Sequence, residues 1–134
     1  PELIKRANDK KDVILLPHIG ASTSQAEENC AVMAVNQLTE FLQTGNIINS
    51  VNFPDVRLNR TTDYRISIIN KNVPAMIGQI ATELGELNLN IAEMTNVSKG
   101  DIAYNLIDIE NEVSEESINK LQGIENVIDV RLIG

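Results

Sequence analysis

Residues 63–134 are predicted to fold as an α+β unit, a four-stranded antiparallel sheet with two helices on one face. Three observations lead there. The hydrophobic pattern runs strand, helix, strand, strand, helix, strand. Each helical segment carries one apolar stripe that needs a sheet to cover it. Each strand–helix–strand crossover should be right-handed, which leaves the ferredoxin-like βαββαβ order as the economical closure. The second face of such a sheet is left for solvent or a partner, and its open edges invite dimerisation. At about 70 residues the unit lies near the lower limit for independent stability.

The elements follow in order. Residues 1–12 are polar and charged and read as a short helical turn and loop, and Val13-Ile14-Leu15-Leu16, ended by Pro17, reads as a buried strand. After a small-residue loop, Ser24 and Glu27 stand at capping-box spacing and open a long helix over 24–44. Ala31, Ala34, Val35, Leu38, Phe41 and Leu42 form its apolar face, with Cys30 beside them as a small buried hydrophobe. Gly45 stands where a left-handed residue ends a helix. Residues 46–62 form a connector, with a domain boundary near 58–62; residues 1–58 and 63–134 are the two expected domains.

Beyond the boundary, the first strand is Tyr64–Asn70. The next helix runs from Pro74, at its first position, to about Leu87, with Ile77, Ile80, Ala81, Leu84 and Leu87 on one stripe and Asn88 as a left-handed terminator. The second strand covers Ile91–Ser98, Lys99-Gly100-Asp101 turns, and the third covers Ile102–Glu110 with Ala103, Asn105, Ile107 and Ile109 on one side. Ser114 caps the second helix, Val113 and Ile118 stand at staple spacing, Leu121 extends the apolar side and Gly123 ends it. The last strand is Val127–Ile133, with Ile128, Val130 and Leu132 facing one way.

Composition narrows function. Apolar residues make up 43% of the 134 and aromatic ones 3%, so the core is built from Ile, Val, Leu and Ala. A net charge of −8 opposes binding to nucleic acid or to an anionic membrane, since both present phosphates. The single Cys30 allows no internal disulfide, no apolar run is long enough to span a membrane, and a cytoplasmic setting is the default. No Gly-x-Gly-x-x-Gly, no Walker pattern and no cluster at metal-ligand spacing occurs.

Two stretches carry chemistry. Ile69-Asn70-Lys71-Asn72-Val73-Pro74-Ala75 ends a strand and opens a helix, leaving backbone N–H groups beside two amide side chains. Such a corner suits a small zwitterion; the same asparagines also serve as ordinary turn formers. His18 follows an apolar run and precedes a small-residue loop, a common place for a general base, although Asp9, Asp12 and Glu27 have no diagnostic spacing to it.

Leu16-Pro17-His18-Ile19-Gly20-Ala21-Ser22-Thr23, followed by Ser24-Gln25-Ala26-Glu27-Glu28-Asn29, closely resembles the end of the catalytic region of NAD-dependent D-2-hydroxyacid dehydrogenases. The likeness is greatest to the branch that oxidises 3-phosphoglycerate to 3-phosphohydroxypyruvate at the start of L-serine biosynthesis, and Ser50-Val51-Asn52-Phe53-Pro54 matches that branch too. Residues 63–134 resemble an ACT domain, a small regulatory module, through Ile69–Pro74 and Asn90-Ile91. The resemblance implies His18 as the catalytic acid–base and Gly20 against the carboxamide end of NAD. It implies Asn70, Asn72 and Asn90 as binders of an amino-acid effector, L-serine or another small amino acid. The effector would sit between two ACT domains of a homodimer, within a homotetramer of the parent enzyme. Asn70 stands where the family commonly has histidine, and Ala75 where it commonly has glycine. The carboxylate partner of the histidine, the substrate arginine and the glycine-rich loop have no counterpart in the chain. The expectation is therefore a C-terminal fragment, inactive as a dehydrogenase alone, whose bulk is regulatory.

Overall fold

The computed structural model describes residues 2–9, 14, 15, 17 and 19–134. Packing divides the chain into two units, Pro1–Val35 and Asn36–Gly134. The first holds α1 (Glu2–Asn8) and the beginning of α2 (Ser24–Thr44), a helix that crosses the division. The cap of α2 lies one residue earlier than the capping-box spacing predicts. Ala26 N donates to Thr23 Oγ1 (3.1 Å) and Glu27 N to the Thr23 carbonyl (2.9 Å), so Ser24 is already helical. Cys30 is exposed, as are Val35, Leu38 and Leu42, because nothing among the described residues covers that face. Ile14 and Leu15 are exposed and carry no strand; Val13, Leu16 and His18 lie outside the described residues.

The second unit contains β1 (Tyr64–Lys71), α3 (Met76–Glu86), β2 (Ile91–Lys99), β3 (Ile102–Ile109), α4 (Glu115–Gln122) and β4 (Val127–Ile133). The sheet order is β2-β3-β1-β4, with every neighbouring pair antiparallel, the expected ferredoxin-like topology. Ile66 and Ile68 of β1, Ile107 and Ile109 of β3, and Val130 of β4 meet Ile80 and Leu84 of α3 and Leu121 of α4 on the helix-bearing face. Local signals work as the sequence implies. Ser114 Oγ accepts from Ser117 N (3.2 Å) at the start of α4. At the end of α3, Asn88 has φ 54°, and Asn88 N and Leu89 N donate back to Gly85 and Leu84, a Schellman closure. Within α3, Met76 is buried and Ile77 is half exposed, so the stripe starts one residue earlier than its apolar spacing implies.

The other face of the sheet does not wait for solvent or a partner. Residues 41–58 fold back over it. Ile47 and Val56 form an antiparallel bridge, and with Leu58 and the partly buried Phe41 and Phe53 they pack on Tyr104, Leu106 and Ile133. Residues 103–109 of β3 are therefore buried on both faces. The end of α2 is fixed by polar contacts to the same face. Arg65 is fully buried, pairs with both carboxylate oxygens of Asp108 (2.5 and 2.9 Å), and donates to the Thr44 and Leu58 carbonyls (both 2.9 Å). Arg131 lies over the Phe41 ring and donates to the Phe41 and Leu42 carbonyls. Tyr104 Oη donates to the Gly45 carbonyl (2.7 Å). Cationic donors thus meet the negative end of the α2 dipole. Gly45, with φ 75°, lies so close to the sheet that a Cβ would come within 2.6 Å of Ile133 Cδ1 and 2.7 Å of Leu106 Cδ1.

Candidate functional site

The corner between β1 and α3 differs from the predicted one in its entry to the helix. Pro74 is not the first helical residue; α3 starts at Met76, and Ala75 is its cap with φ 68° and ψ 0°. The chain reaches this point because Asn72 is held to the β2–β3 turn. Its N–H donates to the Asp101 carbonyl (2.8 Å) and its Nδ2 to the Gly100 carbonyl (3.0 Å). The turn back into α3 then needs one left-handed residue, which explains why glycine suits position 75 and alanine there is strained. No side chain caps the start of α3, so its first-turn N–H groups are left for water or a ligand. A shallow groove begins here, lined by Ala75, Gly78, Gln79, Thr82, Glu83 and Glu86, with Ile124 closing it.

The three candidate asparagines have different fates. Asn70 is buried: its Nδ2 donates to the Lys71 carbonyl (2.7 Å) and its Oδ1 accepts from Asn105 Nδ2 (2.7 Å). Asn105 in turn bonds Ile68 O and accepts from Asn96 Nδ2 (2.6 Å), so an amide ladder crosses three strands. Sequence reading missed Asn96 and Asn105; the signal was three asparagines on three strands, which only register connects. Asn72 is exposed and keeps Oδ1 without a protein partner among the described residues. Asn90 is exposed too. Its N–H donates to Asn111 Oδ1 (2.9 Å) and its Nδ2 to the Glu110 carboxylate, leaving its Oδ1 free of protein partners among the described residues.

The sheet does not bring Asn72 and Asn90 together within one chain. Lys71 pairs with Ile102 at one end of β3, while Ile91 pairs with Ile109 at the other. Eight-residue strands at about 3.3 Å per residue put roughly 25 Å between those ends. The two corners also differ in electrostatics: a helix N-terminus lies by Asn72 and a carboxylate by Asn90.

Curated proteins with similar sequences share one description. A putative D-3-phosphoglycerate dehydrogenase of Schizosaccharomyces pombe is 36% identical over 131 residues, covering 92% of this chain and 28% of that protein. The D-3-phosphoglycerate dehydrogenase of Haemophilus influenzae is 31% identical over 133 residues, covering 98% of this chain and 32% of that protein. This chain is homologous to the D-3-phosphoglycerate dehydrogenases. It spans about 30% of the length of these relatives. No protein-family model matches it. Among solved structures, the ACT domain from GTP pyrophosphokinase of Chlorobium tepidum aligns with TM-score 0.46 and 19% identity, over 52% of this chain and 94% of that one. The regulatory subunit of aspartate kinase from Thermus thermophilus aligns with TM-score 0.47 and 12% identity, over 60% of this chain and 55% of that one. The βαββαβ unit itself has the ferredoxin-like strand order described above.

Gly20 lies in an exposed turn, and a Cβ built on it would meet nothing within 4 Å. His18 lies outside the described residues. No metal-holding group of His, Cys, Asp and Glu occurs among them, and no described helix is long and apolar enough to cross a membrane.

Proposed function

We propose that this chain supplies the regulatory part of an NAD-dependent D-3-phosphoglycerate dehydrogenase of the cytoplasm, and that its ACT unit binds L-serine or another small amino acid between two copies for feedback inhibition. One observation carries this reading. Asn72 and Asn90 are exposed, each with an amide oxygen still unpaired among the described residues, yet they stand at opposite ends of one sheet. A ligand that uses both must lie between two chains. A two-fold arrangement that sets the β1–α3 corner of one copy against the start of β2 of the other satisfies this. The zwitterion then has a direction: its carboxylate meets the uncapped N-terminus of α3, and its ammonium meets Glu110 and the Asn90 amide oxygen of the second copy.

About four hydrogen bonds to charged groups give roughly 6–12 kcal/mol gross. Ordering and association costs remove several of these, leaving a micromolar-to-millimolar site. That range suits a sensor of metabolite level. Regulation requires the ligand to favour one arrangement of the dimer over another. Asn70 enters this site indirectly, by fixing the carbonyl of Lys71 beneath the loop.

His18 as the acid–base that takes the substrate's hydroxyl proton, and Gly20 beside the nicotinamide carboxamide, belong to the parent dehydrogenase, a homotetramer on this reading. The 1–58 segment would then be the remnant of its catalytic region, and 63–134 the regulatory domain. The chain alone has no oxidoreductase activity on this reading. A second reading, a dimerisation module without effector, draws on the internal bonds of Asn70 and on Asn72 Nδ2 being held by Gly100. L-serine at millimolar concentration should raise the melting temperature of the chain, and Asn72→Ala with Asn90→Ala should remove the shift. No shift with any small amino acid leaves the second reading standing.

A further inference from the structure

The two edges of the sheet are not alike. The β4 edge carries a side chain acting as a strand. Gln122, the last residue of α4, donates from Nε2 to the Ile128 carbonyl (3.1 Å) and accepts at Oε1 from Val130 N (2.9 Å). An antiparallel neighbour would make this same pair of bonds to two outward-facing groups. The backbone groups of Val130 and Leu132 therefore point away from β1, because residues two apart on a regular strand share a direction, and so does the carbonyl of Ile128, which stands at an irregularity in the β1–β4 register. Natural sheets guard such edges against pairing with other chains.

The guarded strand is complementary to itself. Its sequence is Val127-Ile128-Asp129-Val130-Arg131-Leu132-Ile133. A two-fold axis at Val130 sets Val130 opposite Val130 of a second copy, Ile128 opposite Leu132, and Asp129 opposite Arg131. Residues with outward backbone groups then face one another, as an antiparallel ladder needs. The pairing joins opposite charges and apolar side chains on their proper faces. Ile128 is 48% exposed and Leu132 is 37% exposed, so each has apolar surface left to bury. Shifting the register by two residues loses both Asp129–Arg131 matches and sets like charges opposite each other, and shifting it by one sets outward groups against inward ones.

We propose that the β4 edge is a self-pairing surface whose occupant is a second copy of this chain, and that Gln122 holds it shut. The surface is separate from the corner-to-β2 arrangement of the effector reading, and pairing through it adds a further step of assembly. Pairing gives up four Gln122 bonds, two in each copy, for at least four between chains, so the side-chain amide sets the concentration at which pairing begins.

The test is sedimentation of the full 134-residue chain across a range of concentrations, with amide exchange at Val130 read in parallel. Gln122→Ala should tighten self-association about tenfold or more, since it removes two competing hydrogen bonds. Gln122→Glu, which keeps the acceptor for Val130 N–H and loses the donor to Ile128, should fall between. Asp129→Arg in the Gln122→Ala background sets arginine opposite Arg131 twice and should abolish the gain, because Asp129 is exposed and its replacement leaves the core alone. At low concentration the Val130 amide should exchange faster in Gln122→Ala than in the parent chain. If neither Gln122 variant associates more strongly than the parent, or if Asp129→Arg leaves the added association intact, the surface is not the one proposed.

Discussion

Gly45→Ala measures how firmly the arm of residues 41–58 is seated on the sheet, and Gly100→Ala supplies its reference. Both glycines are left-handed, with φ 75° and 62°. An alanine at either position incurs about 1–2 kcal/mol of backbone strain, offset by about 0.4–1 kcal/mol from a stiffer unfolded chain. Their surroundings differ. A Cβ at Gly100 meets nothing within 4 Å, whereas at Gly45 it comes within 2.6 Å of Ile133 Cδ1, 2.7 Å of Leu106 Cδ1 and 3.3 Å of Tyr104 Oη. Overpacking adds about 1–3 kcal/mol. Gly45→Ala should therefore cost about 2–4 kcal/mol and Gly100→Ala about 1 kcal/mol or less. For a unit of about 100 residues the first corresponds to a melting-temperature drop on the order of 10–25 °C. Urea unfolding of both variants, followed by circular dichroism, gives the comparison. Equal losses at the two glycines would refute the packing of the arm against Leu106 and Ile133.

Other variants probe the buried pair and the corner. Burial alone would raise the pKa of Asp108, but hydrogen bonds from Arg65 and from Thr61 outweigh it and hold it below the ordinary aspartate value. Its contribution to stability is then present above the unfolded pKa of about 3.9 and is lost as pH falls through the lower folded value. Asp108→Asn should cost about 3–5 kcal/mol at neutral pH by stranding the Arg65 guanidinium, and should flatten the dependence of stability on pH below the ordinary aspartate pKa of about 3.9. A variant as stable as the parent at pH 7 contradicts this. Ala75→Gly relieves a left-handed alanine and should stabilise the unit by about 0.5–1 kcal/mol, after the entropy of the more flexible unfolded chain is subtracted. A loss of stability on thermal melting would show that φ 68° carries no strain.

What was legible in the sequence was local. Strand periodicity placed β4 at Val127–Ile133, and Ser114, Gly45 and Asn88 marked helix ends because caps act within a few residues. What was not legible depends on partners far apart in the chain. The fate of the sheet's second face turns on Arg65, Asp108, Tyr104 and Leu106, whose contacts reach back to Thr44, Gly45 and Leu58. A signal was present, since Tyr104 and Leu106 alternate with the helix-side residues and a strand apolar on both sides is covered on both sides. Opposite charges at positions 65 and 108 become informative only once register sets them face to face. Asn70 likewise reads as a loop residue until Asn105 is placed beside it. The exposed face of α2 and Cys30 show the reverse: an apolar stripe announces that a helix buries something, and the described residues supply no cover for it.

The account rests on a ligand site that two chains complete. Calorimetric titration of L-serine into Asn72→Ala alone, Asn90→Ala alone and an equal mixture of the two after subunit exchange tests it directly. In a two-fold dimer of the mixed kind one site collects both substitutions and the other keeps both asparagines, so about a quarter of all sites return. The account predicts no binding for either variant by itself and recovery of that fraction, at the parent affinity, in the mixture. A mixture as inert as its components, or either variant binding as tightly as the parent, would contradict it.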